Sequence, residues 1–124
     1  MLVVDDDPDI LKLLGMVLAS EGCVVREALA PADGLGALAG VDVVLVDQRM
    51  PKMSGSAFIA AARSAGYSPI FLVISAHSEA RREAERAGAD GFLGKPLGVA
   101  DTLREIERLF AKRVRTQGAS RDAD

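Results

Sequence analysis

An α/β fold, with a parallel sheet covered by helices on both faces, is predicted by three observations on the 124-residue chain. Short β-branched apolar runs alternate with segments of helical periodicity. The runs VVLV (43–46) and FLVI (71–74) have no polar face, as strands buried on both sides require. The strand–helix alternation recurs five times in order, with no other repeat.

The first strand is LVV (2–4). In the following PDILKLLGMVLASEG, Ile10, Leu11, Leu14, Val17 and Leu18 form one stripe. Asp7 is its N-cap, Pro8 its first helical residue and Gly22 its stop. The second strand is VVRE (24–27); LAPADGLGALAG (29–40) is the weakest helix, diluted by three glycines and a proline. The third strand is VDVVLV (41–46), followed by an Ala-rich helix over 54–66 that closes at Gly66. The fourth strand is IFLVIS (70–75). The helix over 78–88 takes Ser78 as its cap and Gly88 as its end. Its Arg81, Arg82 and Arg86 are expected to pair with Glu79, Glu83 and Glu85 on a solvated face. GFL (91–93) is the fifth strand. The helix over 98–114 carries Val99, Leu103, Ile106 and Phe110 along one side. RTQGASRDAD, after Val114, has no apolar period and reads as a frayed terminus or linker. The domain is therefore placed at 1–113 and a polar tail at 114–124, and the absence of a lead-in before the first strand suggests a start further upstream.

Composition narrows the function classes. Hydrophobic residues make up 49% of the chain, too many for a disordered segment. A net charge of −3 leaves no footprint for nucleic acid or an anionic membrane surface. Cys23, the single cysteine, cannot form an internal disulfide, which favours a reducing compartment. No apolar run approaches the ~20 residues that span a bilayer. A soluble, cytoplasmic protein is expected.

The chemistry collects at the strand ends. In doubly wound sheets ligands sit beyond the carboxyl ends of the strands, where strand order reverses. The first strand ends in Asp5, Asp6 and Asp7, the third in Asp47, the fourth in Ser75, and the fifth leads to Lys95. Asp7, before Pro8, is assigned to the helix cap. The remaining carboxylates repel one another, and a hard divalent cation resolves that conflict: Mg²⁺, or Mn²⁺. Lys95 and Ser75 are suited to pair with the oxygens of a phosphoryl group.

Four segments, LVVDDDPDI, VDVVLVDQRMPKMSG, VISAH and GADGFLGKPL, resemble the signature blocks of bacterial response-regulator receiver domains. The resemblance runs from residue 2 to about 113, with the blocks in family order. It implies a flavodoxin-like doubly wound (βα)₅ sandwich with strand order 2-1-3-4-5. It also implies that Asp47 is the phosphoacceptor, Asp6 a direct metal ligand, Asp5 its partner, and the backbone carbonyl of Arg49 a third ligand. Ser75 matches the family's hydroxyl position and Lys95 its lysine. The Lys95–Pro96 bond is expected to be cis. Ser75 and Phe92 match the switch positions, which act on the face made by the fourth helix, fifth strand and fifth helix. Arg49 and His77 stand where side chains tune phosphorylation and hydrolysis rates, although His77 alone reads as an exposed loop residue.

The implied partners are a sensor histidine kinase or a histidine phosphotransfer protein, with an output domain, a downstream protein or a second copy at the switch face. Direct binding to nucleic acid or membrane is not expected. Two alternatives belong to other classes. One is a pseudo-receiver that binds partners without being phosphorylated, against which the complete set Asp5, Asp6, Asp47, Ser75 and Lys95 argues. The other is a haloacid-dehalogenase-type phosphatase, whose D-x-D motif is broken by Arg49. The chain departs from the receiver pattern in carrying Phe92 where Tyr is more frequent. Its Ser75-to-Lys95 segment is also about two residues short, in the loop or helix after the fourth strand.

Overall fold

The structure, a computed structural model, describes residues 1–122, with side chains through Arg115. Its elements are β1 (Leu2–Val4), α1 (Pro8–Ser20), β2 (Arg26–Ala28), α2 (Pro31–Leu35), β3 (Val43–Asp47), α3 (Gly55–Ser64), β4 (Ile70–Ser75), α4 (Ala80–Arg86), β5 (Gly91–Gly94) and α5 (Val99–Asp122). The five strands form one parallel sheet in the order β2-β1-β3-β4-β5, as the resemblance implies. Strand order reverses at β1, so the carboxyl ends of β1 and β3 flank the crevice where doubly wound sheets bind ligands.

The apolar strands split by alternation into two cores. Val4, Val44, Val46, Phe71, Val73 and Phe92 meet α3 and α4 through Phe58, Ile59, Ala62, Ala80 and Ala84. Val3, Leu45, Leu72 and Ile74 meet α1 and α5 through Leu11, Leu14, Leu18, Ile106 and Leu109. Asp7 caps α1 by accepting from the Asp9 amide at 2.9 Å. Gly22 ends that helix at φ 85°, with the Cys23 amide bonded back to Leu18. Ser54 caps α3 by accepting from the Ala57 amide at 3.1 Å.

The structure departs from the pattern reading where packing overrides local signals. The weak helix over 29–40 contracts to the five residues of α2. Ser78 makes no cap: Glu79 takes that position without a side-chain bond, and the Ala80 amide donates to the carbonyl of His77. Among the described residues, no ion pair joins the arginines and glutamates of α4; Glu79 faces His77 at 3.5 Å and Arg81 lies over the ring of Phe92. The buried side of α5 is Thr102, Ile106 and Leu109, while Val99 is exposed. The stripe is rotated because α5 meets both β4 and β5. Helix α5 also runs on past Val114 to Asp122, since RTQGASRD holds no proline to stop it. On the edge, β2 begins only at Arg26, and Val24 stays in solvent.

Candidate functional site

Three strands bring four predicted residues to one point. Asp5 follows β1, its amide donating to Ala28 at 3.1 Å, and its side chain is fully buried. Asp47 closes β3, 5% exposed and in register with Ile74. Lys95 follows β5, where its amide donates to the carbonyl of Ser75 at 2.8 Å. The Lys95 Nζ donates to Asp5 Oδ2 at 3.1 Å and lies 3.4 Å from Asp47 Oδ1. Asp6 is exposed at the rim. One oxygen from each of Asp5, Asp6 and Asp47 falls within 4.8 Å of the others.

Burial sets the electrostatics. It raises the Asp5 carboxyl above its ordinary value, against the Asp7 amide and Lys95, which lower it. It also raises Asp47, with the charge of Asp5 adding to the effect and Lys95 opposing it. For Lys95, burial alone would favour the neutral amine. The hydrogen bond and charge of Asp5, together with Asp47, outweigh it and raise the pKa, so the ammonium persists. One ammonium among three carboxylates leaves the cluster net negative, and every free donor is a hard oxygen. That donor set fits a cation such as Mg²⁺.

The other predicted residues are arranged around this cluster. Ser75 ends β4, 1% exposed, its Oγ accepting from the His77 amide at 3.1 Å. The His77 side chain is exposed beside Glu79. Arg49 is exposed two residues past Asp47, in a loop where Lys52 has φ 72°. The Lys95–Pro96 peptide is cis. Phe92 is 9% exposed in the α3–α4 core, with the Arg81 guanidinium 4.9 Å from its ring centroid. Pattern reading missed two contacts. Arg81 over Phe92 was hidden in a helix whose face reads as mostly charged. Gln48, buried and bonded to Ser56, was visible only as a polar residue placed straight after an apolar strand.

The response regulator receiver domain profile matches residues 1–107. The chain belongs to that family. The receiver is 38% identical over 101 residues to the transcriptional regulatory protein GlrR of Escherichia coli K12, covering 78% of this chain and 23% of that protein. It is 34% identical over 110 residues to the transcriptional regulatory protein KdpE of Mycobacterium tuberculosis H37Rv, covering 86% of this chain and 48% of that one. The chain thus spans about a quarter of the length of the first of these proteins and about half of the second. Among solved structures, the Vibrio cholerae chemotaxis protein CheY4 superposes with a TM-score of 0.82 at 28% identity, covering 87% of this receiver and 95% of that chain. No helix of the described residues is long and apolar enough to cross a membrane.

Proposed function

We propose that this receiver is phosphorylated on Asp47, taking its phosphoryl group from a phosphohistidine of a sensor kinase or phosphotransfer protein. The observation that carries this reading is the buried Asp47 carboxylate held beside Asp5, Asp6 and the Lys95 ammonium. Asp5, Asp6, Asp47 and the backbone carbonyl of Arg49 would hold Mg²⁺, or Mn²⁺. When bound, that ion supplies charge neutralisation for the carboxylates and the incoming phosphoryl oxygens.

An Asp47 oxygen attacks phosphorus as the bond to the histidine nitrogen breaks, giving an acyl phosphate. Lys95 already lies within reach of both Asp5 and Asp47, and its ammonium would pair with an oxygen of the incoming phosphoryl group. The Ser75 hydroxyl accepts from the His77 amide and retains its own proton to donate. Water later hydrolyses the acyl phosphate and resets the signal, with Arg49 and His77 at the rim tuning the rate. Ser75 and Phe92 carry the change to the α4–β5–α5 face, where an output domain, downstream protein or second copy docks. The family match over residues 1–107 supports reading residues 1–113 as one signalling module, and we place its action in the cytoplasm. Neither nucleic acid nor membrane is a direct partner of this module.

Incubation with acetyl phosphate and Mg²⁺ tests the reading by intact mass. Wild type gains one phosphoryl group, and neither Asp47→Asn nor the wild type in EDTA does. No gain by wild type would instead leave a pseudo-receiver interaction module. Sustained turnover of phosphate esters would point to a dehalogenase-type phosphatase.

A further inference from the structure

Gln48 stands between two residues of the proposed site, Asp47 and Arg49, and is 1% exposed. Its amide N–H donates to Ile74 at 2.9 Å and its carbonyl accepts from the Gly55 amide at 3.0 Å. Its side-chain Nε2 donates to Ser56 Oγ at 2.9 Å, and Oε1 accepts from the Ser56 amide at 3.0 Å. A buried primary amide is costly unless paired, so these bonds favour one placement of the residue. The approach of α3 depends on glycine at 55, where a Cβ would lie 2.8 Å from the Asp47 carbonyl and 2.9 Å from Gln48 Oε1. The Ser56 hydroxyl has one proton and two acceptors, Gln48 Oε1 at 3.1 Å and the α4 carbonyl of Glu83 at 3.4 Å. An apolar side chain of equal volume would fill the same space without fixing the peptide.

We propose that Gln48 is a positioning residue for phosphoryl transfer: clamped by Ser56, it holds the 47–49 backbone so that the Asp47 carboxylate and the Arg49 carbonyl keep one relative placement. The proposal rests on the reading of Asp47 as phosphoacceptor.

Gln48→Met keeps the volume and removes the amide; Ser56→Ala removes the clamp from the other side. In the full chain at saturating Mg²⁺, phosphorylation by acetyl phosphate should slow about tenfold in Gln48→Met and about threefold in Ser56→Ala. Because both act through one network, the double variant should be no slower than Gln48→Met alone. In metal-free buffer, amide exchange across residues 48–55 should rise in both. Wild-type rates and exchange beside a lowered Tm would make Gln48 merely structural and overturn the proposal. Should Gln48→Met not fold, Ser56→Ala decides by the same two readouts. Asp47→Asn separates the layers. If it is phosphorylated like wild type, the phosphoacceptor reading fails and takes this inference with it. If it is inert while Gln48→Met and Ser56→Ala match wild type, only the inference fails.

Discussion

Helices α3 and α4 pack against the same face of the sheet and are held there by different means. Helix α3 has a side-chain cap from Ser54, a glycine pressed against the end of β3, and the fully buried Phe58 and Ile59. Helix α4 has seven residues, no side-chain cap, and buries only Ala80 and Ala84. Burying a large apolar side chain stabilises by about 1.5–3 kcal/mol, whereas an alanine methyl contributes about 0.8. The site is thus framed on one side by a firmly packed helix and on the other by a weakly packed one. Under the proposed phosphorylation of Asp47, the element expected to shift is of the second kind.

The largest test removes the firm side. Phe58→Ala should cost about 3–5 kcal/mol in urea unfolding, as a void opens beneath Val4 and Val46. The corresponding cut in α4, Ala84→Gly, should cost only about 1.5–2 kcal/mol, through backbone entropy and the lost buried methyl. Equal costs would mean that α4 is anchored as strongly as α3, and the contrast would be wrong.

A smaller effect probes the strand end on which α3 rests. Asp5 and Asp47 bind their protons more tightly folded than unfolded, both being raised from 3.8. Just above that pH the folded state holds more protons, so their contribution to stability falls as pH rises through their raised values. Asp47→Asn keeps the shape and removes one of the two charges. In metal-free buffer at pH 7 it should stabilise by about 1 kcal/mol, flatten part of the decline above pH 4, and protect α3 amides more than those of α4. A loss of stability instead would mean that the Lys95 contact outweighs the repulsion at Asp47.

The same contrast explains what could be read from the chain. Strands β3 and β4 are apolar on both faces, as a doubly covered parallel sheet requires, so the α/β class was legible in the pattern, the strand order in the family resemblance, and the gathering of Asp5, Asp6, Asp47 and Lys95 in their places at the strand ends. Helix α4 was not. Its Ser78 resembles a cap, yet the chain enters the helix through Glu79 in a helical conformation, and its arginines look solvated although one covers an aromatic ring. Periodicity reports which face of a helix is apolar. It does not report which neighbour a long cation will reach, because that depends on where β5 places Phe92. The buried Gln48 escaped for the same reason, since its partner Ser56 is supplied by tertiary packing. Helix α5 beyond Val114 lacks an apolar stripe, so nothing local separated a continuing helix from a linker.

The smallest effect addresses the cation–π contact of α4. With Ala80 and Ala84 contributing little area, Arg81 over Phe92 is a sizeable share of what fastens this helix to β5. A cation–π contact whose cation remains in solvent is worth about 0.5–1 kcal/mol. Arg81→Ala should therefore lower global stability by about 0.5 kcal/mol, while hydrogen exchange of α4 amides accelerates and that of α3 stays as in wild type. Arg81→Lys should recover part of the protection, because the ammonium keeps the charge but loses the planar stacking of guanidinium. If α3 and α4 accelerate together, the two helices open as one unit, and α4 cannot move alone in the proposed phosphorylation switch.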